Sequence, residues 1–535
     1  MTTAQDSIFA RLTRLSDHAE SDALIRCSGA RASQTITAAQ LLDGSRRTAD
    51  ILRAAGVRRG DKAVVMTRDA YELFVAVNGL ALLGAVPALI EPRAEVRRCL
   101  DEIGPGVFIG ERLAHVGRRA LGWGRGHIHT ALVTGGRFPG QDRLLGHSLP
   151  LAVADGNGHR PPSLAPAPHD EDLAMIAFTS GSTGRPKGVE YRHASIVGQL
   201  TALAAVLRPE PDDILLSCFL PIALFGPLLG MTTVAPQINH LAPARTPPGH
   251  IVGPLLRHRA TAVVASPAVL RLIAGHCARN GLTLPSVRKV LSFGASLRPH
   301  LAEALAKVLP AEAEILSVYG ATECLPVAAI DAGALRELRT EPPPGHNGTC
   351  LGPPLPGIEA RILDADATGL GEIAVAGPVV SPAYHARPDA TVTAKTVADG
   401  TLWHRTGDLG RLDDEGRLWY LGRKAHLVTG EGFTLTTEDV EAAADTASGV
   451  RRTALVGVGP VGRQQAVLCV EPEPATSKDA ILDTLRAALG SHRDGHRIGT
   501  VLFHPRFPTD IRHNSKIDRA RLAALAAKRL RSSGR

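Results

Sequence analysis

The sequence predicts an α/β protein with a large N-terminal part and a small α+β C-terminal part. In about the first hundred residues, short apolar strands such as Lys62–Met66 alternate with helical segments, which is typical of a sheet with crossover connections. After about Pro353 the strand-like runs become shorter, which indicates a β-rich region. The last hundred or so residues again mix helices with strands, which predicts a second, compact unit.

Local stop signals set the predicted elements of the N-terminal part. Residues 37–55 form an amphipathic segment that ends at Gly56, and 73–83 is an apolar helix that ends at Gly84. Gly, Pro and Arg accumulate between residues 104 and 170, which predicts a loop-rich connection. Beyond Lys62–Met66, the buried strands predicted in order are 86–90, 173–179, 261–266, 287–293 and 314–318.

The C-terminal part has its own alternation of elements after the charged run at 422–424. We place the domain boundary there, which divides the chain into 1–422, a hinge at 423–424 and 425–535. The β-rich region before it contains strands at Glu359–Leu363 and 371–375. After it, in order, we predict helix 438–445, strands 452–458 and 465–470, helix 479–489, strand Thr500–Phe503 and helix 517–530.

The net charge of +8 comes from scattered arginines, since the chain has only nine lysines among its 60 basic residues. Such a dispersed excess favours a solvated surface, and an aromatic content of 4% disfavours base stacking. We therefore expect no nucleic-acid partner. Seven widely spaced cysteines without a CxxC pair predict free, buried thiols and no zinc ribbon.

Two apolar stretches, 73–90 and 214–236, are interrupted by Gly and Pro, so we expect no transmembrane span. The N-terminus lacks the pattern of a signal peptide. These features predict a cytoplasmic protein.

The strongest local signal is the run 179–188, Thr-Ser-Gly-Ser-Thr-Gly-Arg-Pro-Lys-Gly, which follows an apolar strand. Its glycines allow the backbone to approach phosphate oxygens, its hydroxyls donate hydrogen bonds and Lys187 adds positive charge. The spacing is not that of a Walker loop. Because of its place after a buried strand, we interpret the run as a phosphate loop in preference to a flexible linker.

This loop resembles the phosphate loop of the adenylate-forming superfamily, and further motifs of that superfamily follow in the same order. Six motifs in family order leave chance as a negligible explanation. The resemblance implies an adenylate-forming fold with α/β subdomains and a β-rich subdomain in the large domain and a small, mobile C-terminal domain. The further motifs are 294–296 (Gly-Ala-Ser), 319–323 (Tyr-Gly-Ala-Thr-Glu), 406–408 (Thr-Gly-Asp), 422–424 (Gly-Arg-Lys) and 514–519 (Asn-Ser-Lys-Ile-Asp-Arg).

The resemblance implies ATP and Mg²⁺ as cofactors and gives roles to individual residues. The catalytic residues are expected to be Lys516, Glu323, Thr322 and Lys187, with Thr322 at the α-phosphate and Lys516 as the adenylation lysine. Glu323 and Thr183 are the expected metal ligands, and Lys424 is the hinge. The residues expected to bind ATP, with Tyr319 against adenine and Asp408 on the ribose, are Thr179, Ser180, Gly181, Ser182, Thr183, Gly184, Gly294, Ala295, Ser296, Tyr319, Gly320, Asp408 and Arg423.

Two departures from the thioester-forming members point to a particular branch. The pocket region 219–231 lacks the usual Pro-x-x-His, and 425–433 differs from the stretch that shapes a pantetheine tunnel. The segments 191–193, 319–327, 422–426 and 510–516 instead resemble the β-lactone synthetases of bacterial olefin biosynthesis. That resemblance implies adenylation of a 2-alkyl-3-hydroxy acid, closure of a β-lactone by its own 3-hydroxyl, and pathway enzymes as partners.

Several alternatives stay open on the sequence alone. The chain could be a long-chain fatty acyl-CoA ligase or an acyl-AMP ligase. A non-catalytic adenylate-binding scaffold is disfavoured because Lys187, Glu323 and Lys516 are all present. His193 and His426 are candidate bases for the 3-hydroxyl, although a lone histidine is more often structural. The apolar stretch 215–231 fits either an acyl pocket or ordinary core.

Overall fold

The structure is a computed structural model of the whole chain. Strands and helices are numbered in chain order, and the ranges 180–184 and 511–516, which carry predicted site residues, fall outside the described part. The described residues are 7–90, 95–135, 144–149, 153, 168–179, 185–240, 242–343, 345–473, 476–490, 492–509 and 517–533.

Up to residue 207, strands and helices alternate, as the sequence predicts for about the first hundred residues. The strands are β1 (Asp22–Ser28), β2 (Ala32–Thr37), β3 (Lys62–Met66), β4 (Val86–Leu89), β5 (Val107–Glu111), β6 (Thr130–Thr134), β7 (His147–Ser148), β8 (Leu173–Phe178) and β9 (Gly188–Arg192). The helices are α1 (Ile8–Thr13), α2 (Ala38–Ala54), α3 (Ala70–Leu83), α4 (Val96–Ile103), α5 (Arg112–Leu121) and α6 (His193–Leu207).

The middle of the chain continues the alternation up to residue 340. Its strands are β10 (Ile214–Ser217), β11 (Thr232–Ala235), β12 (Ala262–Ala265), β13 (Lys289–Phe293), β14 (Glu314–Ala321) and β15 (Cys324–Asp331). Its helices are α7 (Leu220–Ala223), α8 (Phe225–Leu228), α9 (Gly249–Arg257), α10 (Pro267–Asn280), α11 (Pro299–Ala306) and α12 (Ala332–Thr340).

The remaining residues form the β-rich region and the C-terminal unit. The strands are β16 (Thr349–Gly352), β17 (Glu359–Leu363), β18 (Gly371–Ala376), β19 (Lys395–Ala398), β20 (Thr401–Leu412), β21 (Leu418–Arg423), β22 (Val428–Gly430), β23 (Phe433–Leu435), β24 (Val450–Val458), β25 (Gln465–Pro472) and β26 (Thr500–Phe503). The helices are α13 (Pro388–Ala394), α14 (Thr437–Ala444), α15 (Lys478–Gly490) and α16 (Arg519–Ser533).

The described strands of the large part form two mainly parallel sheets and one antiparallel sheet. The first sheet has the order β7-β6-β5-β3-β4-β8-β9, and only the β8–β9 pair is antiparallel. The second has the order β15-β14-β13-β12-β10-β11-β1-β2, with antiparallel pairs at its two edges. The third, antiparallel sheet has the order β16-β21-β20-β18-β17, with β19 beside β20. These sheets confirm the predicted α/β architecture with a β-rich region.

The C-terminal unit is α+β, as the sequence predicts. Its strands β24, β25 and β26 form a small sheet, while β22 pairs with β23. Helices α14 and α15 pack on one side of this sheet in a core that includes Val440 and Leu485. Helix α16 packs on the other side through Leu522 and Ala526.

Capping and burial explain why the first helices form where they do. Helix α2 begins at a capping box, in which the Thr37 hydroxyl accepts from the Gln40 amide at 3.2 Å and the Gln40 side chain accepts from the Thr37 amide at 3.0 Å. Helix α3 begins at Asp69 and ends at Gly84, whose φ of 69° lies in the left-handed region. The predicted bounds of α2 and the predicted end of α3 therefore follow from local signals.

The predicted loop-rich connection between residues 104 and 170 is wrong for residues 107–134. Strand β5 is central in the first sheet, where it pairs with β3 and β6. The apolar side chains of Val107, Phe108 and Ile109 are fully buried there. The Gly- and Arg-rich neighbours hide this short run from pattern analysis, because a central strand of five residues depends on tertiary burial more than on local sequence.

Helices α2 and α3 approach each other closely at glycines. A Cβ at position 79 would lie 3.0 Å from the Thr48 Cβ and 3.1 Å from the Ala49 backbone nitrogen. Their buried faces join a core cluster that also contains Leu24 of β1 and Leu200 of α6. This core connects the first sheet with the second.

All seven cysteines are free, and six of them are buried, in line with the predicted free, buried thiols. Cys218 is partly exposed in surface area, yet its thiol is surrounded by protein, and burial raises its pKa to about 12. Among the described residues, no helix combines the length and the apolar character needed to cross a lipid bilayer.

We expect Gly79→Leu to destabilise the large part by roughly 1–3 kcal/mol, because the added side chain must separate α2 from α3. Urea-induced unfolding, followed by tryptophan fluorescence, measures this change as a lower urea concentration at the midpoint of the first unfolding transition. Gly490→Leu is the matched control, since nothing lies within 4 Å of a Cβ at that helical position. Equal stability of Gly79→Leu and wild type would contradict the close packing of α2 against α3.

Candidate active site

A cavity of about 260 Å³ lies where the C-terminal unit meets the large part. The ends of β13, β14 and β21, with Asp408 within β20, supply its wall on one side. Residues of α14, β24 and the start of α16 supply the other. Ligands bind at the carboxyl ends of parallel strands in many α/β folds. Seven of the predicted ATP-binding residues line this cavity, namely Gly294, Ala295, Ser296, Tyr319, Gly320, Asp408 and Arg423.

Asp408 is the centre of the polar wall of this cavity. Tyr319 on β14 donates its hydroxyl to Asp408 Oδ2 at 2.7 Å, and Arg423 Nε lies 2.7 Å from Oδ1. Asp408 and Arg423 face each other across the β20–β21 pair. Burial, followed by the charge of Asp408, raises the pKa of Tyr319 well above its usual value. The charge of Asp408 also raises the pKa of Arg423, so this guanidinium stays charged at neutral pH.

Glycines lie directly after β13 and near the end of β14, where the backbone disfavours a side chain. Gly294 follows β13 directly with φ of 93°, a left-handed value that favours glycine. A Cβ at Gly320 would lie 2.6 Å from the Leu325 Cδ1 and 3.0 Å from the Cys324 carbonyl oxygen. Gly294 therefore allows the backbone turn that follows β13, and Gly320 allows β14 to pack closely against the Cys324–Leu325 backbone.

Glu323 lies in the turn between β14 and β15, and Tyr384 connects it to Lys187. The Tyr384 hydroxyl donates to Glu323 Oε1 at 2.6 Å, while Lys187 Nζ lies 4.7 Å from the centre of the Tyr384 ring. The neighbouring Thr322 accepts a hydrogen bond through its carbonyl oxygen from the Tyr191 hydroxyl. The structure thus brings Lys187, Thr322 and Glu323 together through two tyrosines that the motif analysis did not assign.

Lys395 and His404 form a second, buried pair behind Glu323. They face each other across the β19–β20 pair, and Lys395 Nζ donates to Ser381 Oγ at 3.2 Å. Burial lowers the pKa of Lys395 to about 8 and that of His404 to about 4. Burial opposes the charge of Glu323, but His404, the Tyr384 hydroxyl and Lys395 together lower its pKa.

Sequence analysis missed Tyr384, Lys395 and His404. Lys395 and His404 lie in strands of the third sheet, whereas Tyr384 lies in the loop before α13 and bridges to Val189 of β9. All three lie outside the six motifs and reach Glu323 only through the tertiary fold. A usable signal was present at Lys395, which is one of nine lysines and follows a run of small and β-branched residues. A lysine at a buried strand position is unusual enough to mark a functional site.

The ends of the predicted phosphate loop are held together at the end of the β8–β9 pair. The Thr179 amide donates to the Lys187 carbonyl at 3.0 Å, and the Lys187 amide donates to Thr179 Oγ1 at 3.1 Å. The five predicted loop residues that lie outside the described part are Ser180, Gly181, Ser182, Thr183 and Gly184. Lys516 also lies outside it, whereas its neighbour Ile517 lines the cavity.

Buried ion pairs hold the C-terminal unit against the large part. Arg298, just before α11, lies 3.1 Å from Glu438 and 3.3 Å from Asp445. Burial alone would lower the pKa of Arg298, but these carboxylates raise it. Thr349 on β16 donates to Glu438 at 2.6 Å. Within the C-terminal unit, Arg519 donates to Glu441 Oε2 at 2.7 Å. Because of these contacts, motif residues of the large part and of the C-terminal unit line the same cavity.

The two candidate histidines occupy different environments. His426 lines the cavity, where burial, Arg519 and Arg423 lower its pKa to about 4. His193 is buried at the start of α6, and burial lowers its pKa as well. Its ring Nδ1 is buried without a hydrogen-bond partner among the described residues. Of the two, His426 is the one placed to meet a ligand in this cavity.

The apolar stretch 215–231 contributes mainly to the core. Leu215 and Leu216 are fully buried on β10, and Met231 packs in the same cluster as Leu215. Leu220, Phe225 and other partly buried side chains of α7 and α8 lie against the cluster that connects the two parallel sheets. Of the two interpretations of this stretch, the packing favours ordinary core for its strand residues.

The described residues could hold a metal ion only if water and phosphate oxygens supply most of its ligands. No group of three or more His, Cys, Asp and Glu side chains in the described chain is arranged to hold a metal. Mg²⁺ usually takes one or two carboxylates and completes its shell with water and phosphate oxygens. Glu323, a carboxylate kept ionised by its surroundings, meets that requirement.

Comparisons with known proteins agree with this site. A model of the AMP-binding enzyme family matches residues 13–385. The olefin beta-lactone synthetase of Stenotrophomonas maltophilia (strain K279a) is 40% identical over 98% of this chain and 98% of its own length. The olefin beta-lactone synthetase of Xanthomonas campestris pv. campestris is also 40% identical, with 97% of each chain covered.

Solved structures show the same fold. The amide bond synthetase McbA of Marinactinospora thermotolerans matches with a TM-score of 0.78 at 23% identity, covering 97% of this chain and 99% of that one. ATP-bound MatB of Rhodopseudomonas palustris matches with a TM-score of 0.76 at 22% identity, covering 98% and 99%. Together with the family model and the two relatives at 40% identity, these matches show that the chain belongs to the AMP-binding enzymes of the adenylate-forming superfamily.

Proposed function

We propose that the chain is an ATP-dependent β-lactone synthetase that acts on a 2-alkyl-3-hydroxy acid. The observation that carries this proposal is the 40% identity to two olefin beta-lactone synthetases over nearly the whole chain. The site supports it, because Tyr319, Asp408 and Arg423, which the motifs assign to nucleotide binding, line one cavity. Enzymes of an olefin or β-lactone pathway are then the expected partners.

In the first step the substrate carboxylate attacks the α-phosphorus of ATP and pyrophosphate leaves. Two anions must approach each other, so fixed cations at the phosphate lower the barrier. Lys187 is held at the base of the phosphate loop by the Tyr384 ring and would supply one of these cations. Lys516 of the C-terminal motif would supply another. Asp408, supported by Tyr319 and Arg423, would accept the ribose hydroxyls.

Glu323 would hold Mg²⁺, with Thr183 as a second predicted ligand. When bound, Mg²⁺ neutralises charge on the phosphate oxygens and orients them for displacement. The chain keeps the Glu323 carboxylate in one orientation through the Tyr384 hydroxyl. Lys395 stabilises its ionised form from the buried side.

In the second step the 3-hydroxyl oxygen attacks the acyl carbonyl, the bond to AMP breaks and the hydroxyl proton leaves. An internal nucleophile gains a high effective concentration, which offsets part of the strain of a four-membered ring. His426, neutral at pH 7, lies in the cavity and is our candidate proton acceptor. The departures in 219–231 and 425–433 agree with a reaction that has no use for a pantetheine tunnel.

Movement of the C-terminal unit, as proposed for the hinge at 423–424, would have to break specific contacts. Lys424 Nζ lies 3.2 Å from Glu372 Oε2 on β18 and starts a short 3-10 turn that ends at His426. Arg298 would also have to leave Glu438 and Asp445. The domain division 1–422 and 425–535 therefore places a small set of ion pairs across the moving boundary.

Purified enzyme should release AMP and pyrophosphate from ATP, Mg²⁺ and a synthetic 2-alkyl-3-hydroxy acid without CoA, and the lactone should be detected by mass spectrometry. The same acid without its 3-hydroxyl is the control, which should form acyl-AMP but no lactone. A strict requirement for CoA, with a thioester as product, would establish the acyl-CoA ligase alternative. Stable acyl-AMP as the end product from both acids would establish the acyl-AMP ligase.

Lys516→Ala should reduce pyrophosphate release by at least about 100-fold, since electrostatic stabilisation of a transition state is worth that much. Binding of ATP, measured by calorimetry, should largely survive because the adenine and ribose contacts are intact. Lys528→Ala on α16 is the control, since that side chain belongs to none of the motifs. Unchanged pyrophosphate release in Lys516→Ala would contradict the assignment.

Tyr384→Phe keeps the ring beneath Lys187 but removes the hydroxyl that holds Glu323. We expect the apparent affinity for Mg²⁺ to fall about 3- to 10-fold, which corresponds to one hydrogen bond to a charged group. Titration of Mg²⁺ in the presence of ATP, followed by calorimetry, measures this shift. A loss of affinity for ATP in the absence of Mg²⁺ would indicate a role in the loop and argue against positioning of Glu323.

A further inference from the structure

The loop before α13 pairs with the strand that follows the predicted phosphate loop. Two backbone hydrogen bonds, of 3.0 and 2.7 Å, join residues 188–190 of β9 to residues 383–385. Val189 and Tyr384 face each other between these two bonds. Strand β9 is the last strand of the first sheet, so the loop lies along its outer edge. We call residues 383–387 the Tyr384 loop.

The side chain of His385 fixes the Tyr384 loop to the first sheet through both of its ring nitrogens. Its Nδ1 lies 2.6 Å from Glu190 Oε1 on β9, and its Nε2 lies 3.2 Å from Lys62 Nζ at the start of β3. An ammonium group can only donate a hydrogen bond, so Nε2 accepts, and the ring proton lies on Nδ1, which donates to Glu190. The side chain of His385 is 15% exposed and that of Glu190 is 23% exposed, so water competes little for these bonds.

Two further features hold the Tyr384 loop in one conformation. Ala386 has a φ of 52°, a left-handed value that is uncommon outside glycine and has to be maintained by contacts on either side. On one side stands His385, and on the other Arg387 Nη1 lies 3.5 Å from Glu102 Oε2. The second oxygen of Glu102 accepts from the Gly188 amide at 3.0 Å. The loop is therefore connected to the end of the phosphate loop on both sides of Ala386.

Tyr384 is the side chain that this arrangement positions. It is 5% exposed, and its hydroxyl donates to Glu323 Oε1 at 2.6 Å. Lys187 Nζ lies 4.7 Å from the centre of its ring. Because Glu323 is the predicted metal ligand and Lys187 the predicted phosphate-binding cation, a shift of the Tyr384 loop would disturb both ends of the phosphate site.

A histidine paired with a glutamate can act as a general base, but the geometry argues against that role for His385. Its Nε2, which would have to accept the proton, contacts Lys62, and His385 is not among the described residues that line the cavity. It can therefore act on the reaction only through the groups that it holds.

We propose that His385 is a positioning residue for adenylation, which holds Tyr384, and through it Lys187 and Glu323, at the end of the phosphate loop. The proposal rests on the adenylation step of the proposed function and not on the identity of the acid or on closure of a lactone. It assigns the contact with Glu190 as the one that fixes the His385 ring, since that bond involves a charged acceptor and is the shorter of the two.

Kinetics of pyrophosphate release at saturating acid test this proposal. In His385→Ala, kcat should fall about tenfold or more, while KM for ATP changes less than about twofold, because the adenine and ribose contacts are intact and only the alignment at the phosphates is lost. In His385→Asn, whose side-chain amide can donate to Glu190 as Nδ1 does, kcat should stay within about threefold of wild type. An equal loss of kcat in both variants would overturn the proposal.

His492→Ala is the matched control, because it removes another buried contact between a histidine and a carboxylate, 3.1 Å to Asp439, from the C-terminal unit. It should lower the temperature of thermal unfolding without changing kcat. If His385→Ala did the same, the role of His385 would be structural only, and the proposal would be wrong.

Calorimetry gives a second readout that uses no acid. With ATP present, His385→Ala should weaken the apparent affinity for Mg²⁺ about 3- to 10-fold, as expected for Tyr384→Phe, because Glu323 loses the same hydrogen bond. The double variant with both changes should lose no more affinity than Tyr384→Phe alone. Additive losses would show that the two residues act separately and would contradict the proposal. This result stands whether or not the chain forms β-lactones, so the two proposals can fail independently.

Discussion

The buried carboxylate of Asp408 is the contact on which the arrangement of the site depends. It joins β14 of the second sheet, through Tyr319, to β21 of the third sheet, through Arg423. An isolated carboxylate at this depth would be costly, so its two partners must be in place before the cavity has its shape. Arg423 is also the last residue of β21, where the chain leaves for the C-terminal unit. The same ion pair therefore fixes one wall of the cavity and the point from which the small domain extends.

The remaining charges follow the same principle of pairing across element boundaries. Glu323 is held by Tyr384 from the loop before α13, and its ionised form is stabilised by Lys395 from the third sheet. Arg298 carries the contact between the large part and α14. A reaction that brings a carboxylate to a polyphosphate requires positive charge in fixed positions. Here such charge is supplied by side chains whose partners come from different sheets, which makes the site sensitive to how the parts are packed.

Much of this could be predicted from the sequence because the motifs are local. The strands Lys62–Met66, Glu359–Leu363 and Thr500–Phe503 have the predicted bounds, and α2 agrees to within a residue at each end. Glycines and caps supply these limits without help from the tertiary structure. Seven of the expected nucleotide residues line one cavity, as their order along the chain implies.

What the sequence could not show depends on contacts between distant segments. Tyr384, Lys395 and His404 reach Glu323 only after three sheets have packed together, so their spacing carries no signal. Strand β5 is short and flanked by Gly and Arg, and only its central place in the first sheet buries it. These residues now offer explanations for the ionised state of Glu323 and for the position of Lys187 that motif matching alone does not give.

An isotope experiment tests most directly which oxygen is activated. With both carboxylate oxygens of the 3-hydroxy acid labelled with ¹⁸O, adenylation of the carboxylate followed by attack of the 3-hydroxyl transfers one label to AMP. The lactone then keeps one label in its carbonyl group, and this is the result we predict by mass spectrometry. A lactone that retains both labels, with unlabelled AMP, would show that the hydroxyl is activated instead and would contradict the account.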